Sequence, residues 1–289
     1  MKVAGTIDEI RSAVAEARLA GSRTVGLVPT MGALHEGHYS LIDAAREGCD
    51  FVVVSIFVNP AQFGPGEDLQ TYPRPLEADL AGCRARGADA AFVPQVEEMC
   101  PPGAVTTVRV AGLTDRLCGA NRPGHFDGVC TVVAKLFNIV APDVAYFGAK
   151  DYQQAVVVRR MVRDLHMPVR IEVCPTVREA DGLAVSSRNV RLSAEERAEA
   201  VALAESLRLA QKMVEAGARG AAEVLEAMRR QLDERAPCGQ VDYVQVVDSE
   251  SLQDVEEITA SVVAAVAVRF ASVRLIDNML LTPPRSPKA

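Results

Sequence analysis

Hydrophobic positions in the first half of the chain come in short unbroken runs separated by longer amphipathic stretches. Residues 24–29 (TVGLVP) are apolar between Gly21 and Pro29, and residues 52–58 (VVVSIFV) are continuous and rich in β-branched side chains. A strand covered on both faces reads this way. Residues 90–93 (AAFV) and 144–147 (VAYF) repeat the theme, each ending at Pro or Gly. Helical patterns lie between them: one face built from Leu41, Ile42, Ala44 and Ala45, then residues 129–140 and 153–165. Strand–helix alternation with short connections predicts an α/β fold, a parallel sheet with helices on both faces. Ligands of such sheets bind beyond the carboxyl ends of the strands.

The pattern changes after about Val173. Residues 193–215 and 218–235 predict long helices, the first opened by a capping box of Ser193 and Glu196. Residues 241–247, 262–268 and 273–277 predict strands. Helices followed by strands indicate a second, smaller α+β domain, with the boundary near Cys174. The Pro-rich residues 282–289 (TPPRSPKA) read as a disordered tail. No internal repeat is visible.

Composition narrows the class. Of 289 residues 49% are hydrophobic and 24% charged, enough to bury a core, so disorder is excluded as the main state. The net charge of -7 disfavours nucleic acid as a partner, while leaving room for a local basic pocket that holds phosphate. No apolar run reaches the roughly 18 residues of a membrane span; residues 261–268 stop at Arg269. The first residues, MKVAGTIDEIRSAV, carry early acidic groups and no apolar stretch, unlike a signal peptide. Seven cysteines at irregular spacing, with no C-x-x-C pair, suit buried thiols in a reducing compartment. The expectation is a cytoplasmic globular enzyme or binding protein.

Candidate chemistry sits where strands end. Residues 29–38 (PTMGALHEGH) leave the first buried strand and enter a helix, carrying His35 and His38 on one face of its first turn. A helix N-terminus favours phosphate, and Gly37 between the histidines would let a ligand approach the backbone. H-x-x-H alone is compatible with metal, with phosphate, or with helix capping and nothing more; it is not the H-E-x-x-H of zinc proteases. Residues 57–63 (FVNPAQF) place the amides Asn59 and Gln62 at the next strand exit, although Asn59 alone reads as ordinary Asn-Pro turn chemistry. Residues 122–128 (RPGHFDG) hold Arg122 and His125 in a polar loop. Residues 148–154 (GAKDYQQ) contain Lys150, one of only five lysines, at a strand-to-helix turn beside Gly148. Residues 178–189 (READGLAVSSRN) offer Ser186, Ser187 and Arg188 at the apparent domain boundary, either a polyphosphate lid or a solvated linker. His166 has no such polar neighbours and reads as structural.

Five such segments in this order, PTMGALHEGH, FVNPAQFG, RPGHFDGV, FGAKDYQQ and DGLAVSSRN, together with the late Arg274-Leu275-Ile276-Asp277-Asn278, resemble the pantothenate synthetase (pantoate–β-alanine ligase) family. The HEGH element by itself marks only the wider nucleotidyltransferase superfamily with HIGH-type signatures. The resemblance implies a Rossmann-like, doubly wound N-terminal domain over residues 1–175 and a C-terminal lid domain with the SSRN loop over residues 176–289, in a homodimer. It implies ATP-dependent condensation of pantoate with β-alanine through pantoyl adenylate, with Mg²⁺, releasing pyrophosphate and AMP.

Carried over by motif, His35 and His38 would contact the ATP phosphates and stabilise charge during adenylation. Lys150, Ser186, Ser187 and Arg188 would hold the triphosphate and the departing pyrophosphate. Asp151 and Gly148 would bind the ribose, and Met31, Val177 and Val185 would complete the ATP site. Gln62 and Gln154 would take pantoate, with Pro29 and Met31 lining its pocket. Asn59, Tyr72, Arg122 and His125 are implied site neighbours, and Asp79 is a candidate for the Mg²⁺ environment, most of whose ligands would be ATP oxygens and water. Three positions depart from the commoner family pattern: Val185 for Met, Ala149 for Glu, and Cys118 for Glu before Gly119. A dinucleotide-forming adenylyltransferase fits less well, because two neutral amides suit a small polyol acid better than a phosphate. An aminoacyl-tRNA synthetase would need an anticodon-binding domain, and an inert nucleotide sensor would be expected to lack the histidines or Lys150.

Overall fold

Six parallel strands form the sheet that the alternating apolar runs demand. The computed structural model describes residues 1–271 and 273–284, so the expected tail lies, from residue 285 on, outside the described residues. The elements run β1 (Lys2–Ala4), α1 (Ile7–Leu19), β2 (Val25–Thr30), α2 (Glu36–Gly48), β3 (Phe51–Ile56), α3 (Leu76–Ala85), β4 (Ala90–Phe92), α4 (Val96–Met99), α5 (Leu117–Asn121), α6 (His125–Val140), β5 (Val144–Gly148), α7 (Tyr152–Asp164) and β6 (Arg170–Cys174). Then follow α8 (Ala194–Glu199), α9 (Val201–Glu215), α10 (Ala221–Arg235), β7 (Gly239–Asp248), β8 (Val262–Phe270) and β9 (Val273–Leu281).

Packing divides the chain into two units. The first comprises Met1–Asp115, Arg122–Ala149 and Gln154–Val177; the second comprises Arg116–Asn121, Lys150–Gln153 and the chain from Arg178 onward. In the first unit the strand order is β1-β4-β3-β2-β5-β6, parallel throughout. From β2 the chain winds outward to β3 and β4 on one side, and β5 and β6 continue on the other. The sheet is therefore doubly wound, and its switch point lies between β2 and β5, where ligands of this fold class sit. Val28, Val52, Val54, Ile56 and Ala91 of the strands pack against Leu41, Ile42 and Ala45 of α2 and Leu80 of α3. The strand read over residues 52–58 ends at Ile56: Phe57 still donates its N–H to the Thr30 carbonyl, after which Asn59 turns the chain into a 3-10 turn at Pro60–Gln62.

The second unit is a three-stranded antiparallel sheet, β7-β8-β9, covered by α9 and α10. Leu203, Leu207, Val224, Met228 and Leu232 meet Val244, Val246, Val266, Val268 and Phe270. The single helix expected over residues 193–215 is two. The Ser193–Glu196 capping box is present, but at the fully buried Ala200 the Leu203 N–H bonds the Ala200 carbonyl, a tightened turn that separates α8 from α9. The next helix starts at Ala221 rather than 218. Gly217 takes a left-handed φ of 108°, and the Arg219 carbonyl accepts from Ile258 N–H, so residues 218–220 are held as a loop.

Candidate active site

The loop leaving β2 is built from its own backbone donors. Thr30 Oγ1 donates to the Ser55 carbonyl (2.7 Å) and accepts from Gly32 N–H (3.1 Å). Asp79, on α3, receives Ala33 N–H (2.9 Å) and Leu34 N–H (2.7 Å), one on each carboxylate oxygen. Burial pushes the Asp79 carboxyl above its ordinary value; the two N–H groups oppose that without cancelling it. Next comes His35, the N-cap of α2. Its Nδ1 accepts from Gly37 N–H (3.1 Å), while His35 N–H donates to His38 Nδ1 (3.4 Å), a capping box made of two imidazoles. A ring nitrogen that accepts from a backbone N–H carries no proton, so each neutral ring holds its proton on Nε2. Helix capping through Nδ1 and a proton on Nε2 are thus one arrangement. The rings lie 4.1 Å apart, inclined by 38°. Gly37 was expected to open the backbone to a ligand, but a Cβ there would come within 2.9 Å of the His35 ring. The space left by glycine is filled by that imidazole.

At the exit of β3, Asn59 and Gln62 are both buried, 2% and 8% exposed. Asn59 Oδ1 caps the turn through Ala61 N–H (3.2 Å), and its Nδ2 donates to Gln62 Oε1 and to the Gly128 carbonyl, both at 3.1 Å. Gln62 Nε2 reaches Met31 Sδ at 2.9 Å. Gly128 admits α6 to this turn, since a Cβ there would come within 2.3 Å of the Ala61 carbonyl oxygen; the spacing GHFDG held that signal and sequence reasoning passed over it. Arg122 donates through Nε to Glu67 Oε1 (2.8 Å), through Nη2 to Glu67 Oε2 and to the Gln62 carbonyl (3.3 Å), and through Nη1 to His125 Nε2 (3.2 Å). Burial raises the Glu67 carboxyl, but the Arg122 bonds and charge outweigh it and leave its pKa below the ordinary value. Tyr72 is buried edge-on against Phe63, 6.0 Å between centroids. Pro29 and Met31, at the end of β2, are half-buried, as are Gly148 at the end of β5, Gln154 on α7 and Val177. The first unit therefore brings together Met31, Asn59, Gln62, Arg122 and His125, and separately His35, His38 and Asp79.

Lys150, Asp151, Val185, Ser186, Ser187 and Arg188 belong to the second unit. The Lys150 carbonyl accepts from Asn278 Nδ2 (2.8 Å), and Asn278 N–H donates to Asp277 Oδ1 (2.8 Å). Arg178 forks onto Asp277 (2.6 and 3.0 Å) and also donates to the Gly182 carbonyl (3.0 Å). Asn189 Nδ2 binds Glu179 Oε1 and the Ala184 carbonyl, and Arg197 pairs with both Glu179 and Asp181. Ser186 Oγ accepts from Arg188 N–H (3.2 Å). Residues 178–191 are accordingly a braced loop, and the solvated-linker reading does not hold. Of the glutamine pair, Gln153 ties backbone to backbone: its Oε1 accepts from Cys118 N–H (3.0 Å) and its Nε2 donates to the Arg116 carbonyl (2.7 Å).

Asp79 offers a single carboxylate, so a Mg²⁺ beside it would take its other ligands from nucleotide oxygens and water. Both its oxygens already hold backbone N–H groups, and its observed work is to shape the histidine loop. Among the described residues the one grouping of three potential metal-ligating side chains is Glu195, Glu199 and Cys238, none of them an expected site residue.

A family model described as pantoate-beta-alanine ligase matches residues 2–280. A pantothenate synthetase of Moorella thermoacetica is 54% identical over 97% of this chain and 99% of its own length. The chain belongs to the pantoate–β-alanine ligase family. It is thereby an enzyme of that class. A second relative, the pantothenate synthetase of Acidobacterium capsulatum, is also 54% identical, with 97% of each chain covered. The crystal structure of pantothenate synthetase from Thermus thermophilus superposes with a TM-score of 0.93 at 48% identity, covering 98% of this chain and all of that one. A pantoate-beta-alanine ligase from Francisella tularensis, complexed with beta-gamma ATP and beta-alanine, matches with a TM-score of 0.79 at 34% identity, covering 97% of each. Among the described residues no helix is long and apolar enough to cross a membrane.

Proposed function

We propose that this ligase condenses pantoate with β-alanine in two steps at the expense of ATP. A pantoate carboxylate oxygen bonds to the α-phosphorus as the bond to the bridging oxygen breaks, and pyrophosphate leaves with that electron pair. The β-alanine amine then attacks the acyl carbon of pantoyl adenylate, and AMP departs. Positioning and charge neutralisation dominate such phosphoryl chemistry.

The observation that carries the reading is the His35–His38 pair. Two imidazoles whose Nδ1 atoms are held by backbone N–H groups at a helix N-terminus keep Nε2–H as the donor for charge that develops on phosphate oxygens. We assign them the ATP phosphates. By resemblance, Lys150, Ser186, Ser187 and Arg188 hold the triphosphate and pyrophosphate, Gly148 and Asp151 the ribose, and Met31, Val177 and Val185 the rest of the nucleotide. Gln62 and Gln154 take pantoate against Pro29 and Met31. Residues 176–289 act as the lid domain, and the enzyme works as a cytoplasmic homodimer. Mg²⁺ enters with the nucleotide, and no step here passes through a protein-held metal.

The test is pyrophosphate release from ATP and Mg²⁺, with and without pantoate, before β-alanine is added. A pantoate-dependent burst supports the adenylate route. ATP binding with no burst would replace pantoate with another acid or remove the chemistry altogether.

A further inference from the structure

We infer that Glu67, Arg122 and His125 form a clasp that positions Gln62 for pantoate, acting through the Gln62 main-chain carbonyl. The inference rests on the assignment of pantoate to Gln62.

Two donors converge on that one carbonyl: His125 Nδ1 at 2.8 Å and Arg122 Nη2 at 3.3 Å. Their roles are not interchangeable. A guanidinium only donates, so at the 3.2 Å contact with Arg122 Nη1 the His125 Nε2 must accept. That places the imidazole proton on Nδ1, where it meets the Gln62 carbonyl. Arg122 is in turn aligned by the two-pronged contact with Glu67, the geometry in which Arg and carboxylate lock each other's orientation. Glu67 thus orients Arg122, Arg122 selects the His125 tautomer, and both hold the backbone of Gln62.

The far end of the same residue is held independently. Asn59 donates to Gln62 Oε1, while Gln62 Nε2 reaches Met31 Sδ, so the carboxamide has a defined face. With four N–H contacts made inside the protein, Arg122 reads as a positioning residue rather than an anion ligand. Arg122 and His125 were expected near the site with no separable role; Glu67 was not expected at all.

The test is a double-mutant cycle on the purified enzyme, reading the KM for pantoate and for ATP together with thermal unfolding. Arg122→Lys loses the fork and Glu67→Gln loses its charge. Each should raise the pantoate KM about tenfold or more while leaving the ATP KM unchanged. In a Gln62→Ala background the same changes should add nothing further to the pantoate KM, because no side chain remains to be aimed. A full additional effect in that background overturns the clasp, since Arg122 or Glu67 would then act on substrate or on the fold directly. A parallel rise in both KM values with a lowered Tm also overturns it. An unchanged pantoate KM in Gln62→Ala itself would instead overturn the assignment of pantoate to that residue.

Discussion

His35 and His38 each turn Nδ1 to a backbone N–H of the same helical turn, and their rings lie 4.1 Å apart. One nitrogen of each ring therefore builds the helix start, and the other carries the donor proposed for phosphate. The division by ring atom makes the two contributions separable by substitution.

His35→Asn should separate them. An asparagine side-chain oxygen is a strong N-cap acceptor and can replace Nδ1, but it has nothing at the position of Nε2. The expected outcome is a Tm close to that of the parent with turnover reduced by about 10²–10³. His35→Ala should lose the same turnover and about 1 kcal/mol of stability as well. Turnover that survives in the Asn variant would dismiss the donor role of His35.

The neighbouring glutamines make a second contrast. Gln153 is 6% exposed and satisfies one backbone N–H and one backbone carbonyl, so Gln153→Ala leaves both without their partner. A loss of about 2 kcal/mol or more in urea unfolding is expected. Gln154, half-buried on the first turn of α7, should tolerate Ala within about 0.5 kcal/mol while the pantoate KM rises. Reversed phenotypes would exchange the roles of the two residues.

Much of this architecture can be read from sequence because strands covered on both faces leave no polar alternation. Residues 52–56 and 144–147 needed only their unbroken apolar runs. What escaped had weaker contrast. The edge strand β6 alternates exposed and covered positions over Arg170–Cys174, and β1 is three residues long. The Thr6–Glu9 capping box of α1 was a local signal that went unused. In the site, residue types at strand ends were enough to single out His35, His38 and Gln62. Which nitrogen faces which backbone group was not readable, since it depends on ring rotation. Glu67 escaped because a lone glutamate in a loop has no spacing to mark it; only its pairing with a residue 55 positions away identifies it. Asp79 was marked by its residue type, while its helical position hid that its partners include N–H groups of another loop.

Asp79 also gives a pH dependence with a definite sign. Burial, its largest cause, raises the folded-state carboxyl above the unfolded value. A raised pKa contributes stability that is full below the unfolded pKa and is lost as pH rises through the folded one. The stability of the parent relative to the non-titrating Asp79→Asn variant should therefore fall as pH rises above about 4, measured by urea midpoints along a pH series. A relative stability that climbs with pH would mean that the Ala33 and Leu34 N–H groups outweigh burial.

Cys118 is the departure from the family pattern with a visible consequence. Its thiol lies 3.3 Å from Tyr243 Oη and 3.5 Å from Arg274 Nη1, and Arg274 Nε is already on Asp242 at 2.6 Å. Arg274 Nη2 is buried with no partner among the described residues. The Tyr243 hydroxyl and Arg274 Nη1 thus share one sulfur, which is a weak acceptor, and Nη2 is left unmet. A carboxylate at this position could take the two Nη groups as a fork and the phenol as a third bond. Cys118→Glu should accordingly stabilise the fold by about 1 kcal/mol, because the guanidinium is already buried and its unmet N–H gains an acceptor. Arg274→Met should cost more in the Glu variant than in the parent, since it would strand a second carboxylate beside Asp242. Thermal unfolding of the four proteins reads both effects, and a Glu variant less stable than the parent would show that desolvating the new charge outweighs the bonds it makes.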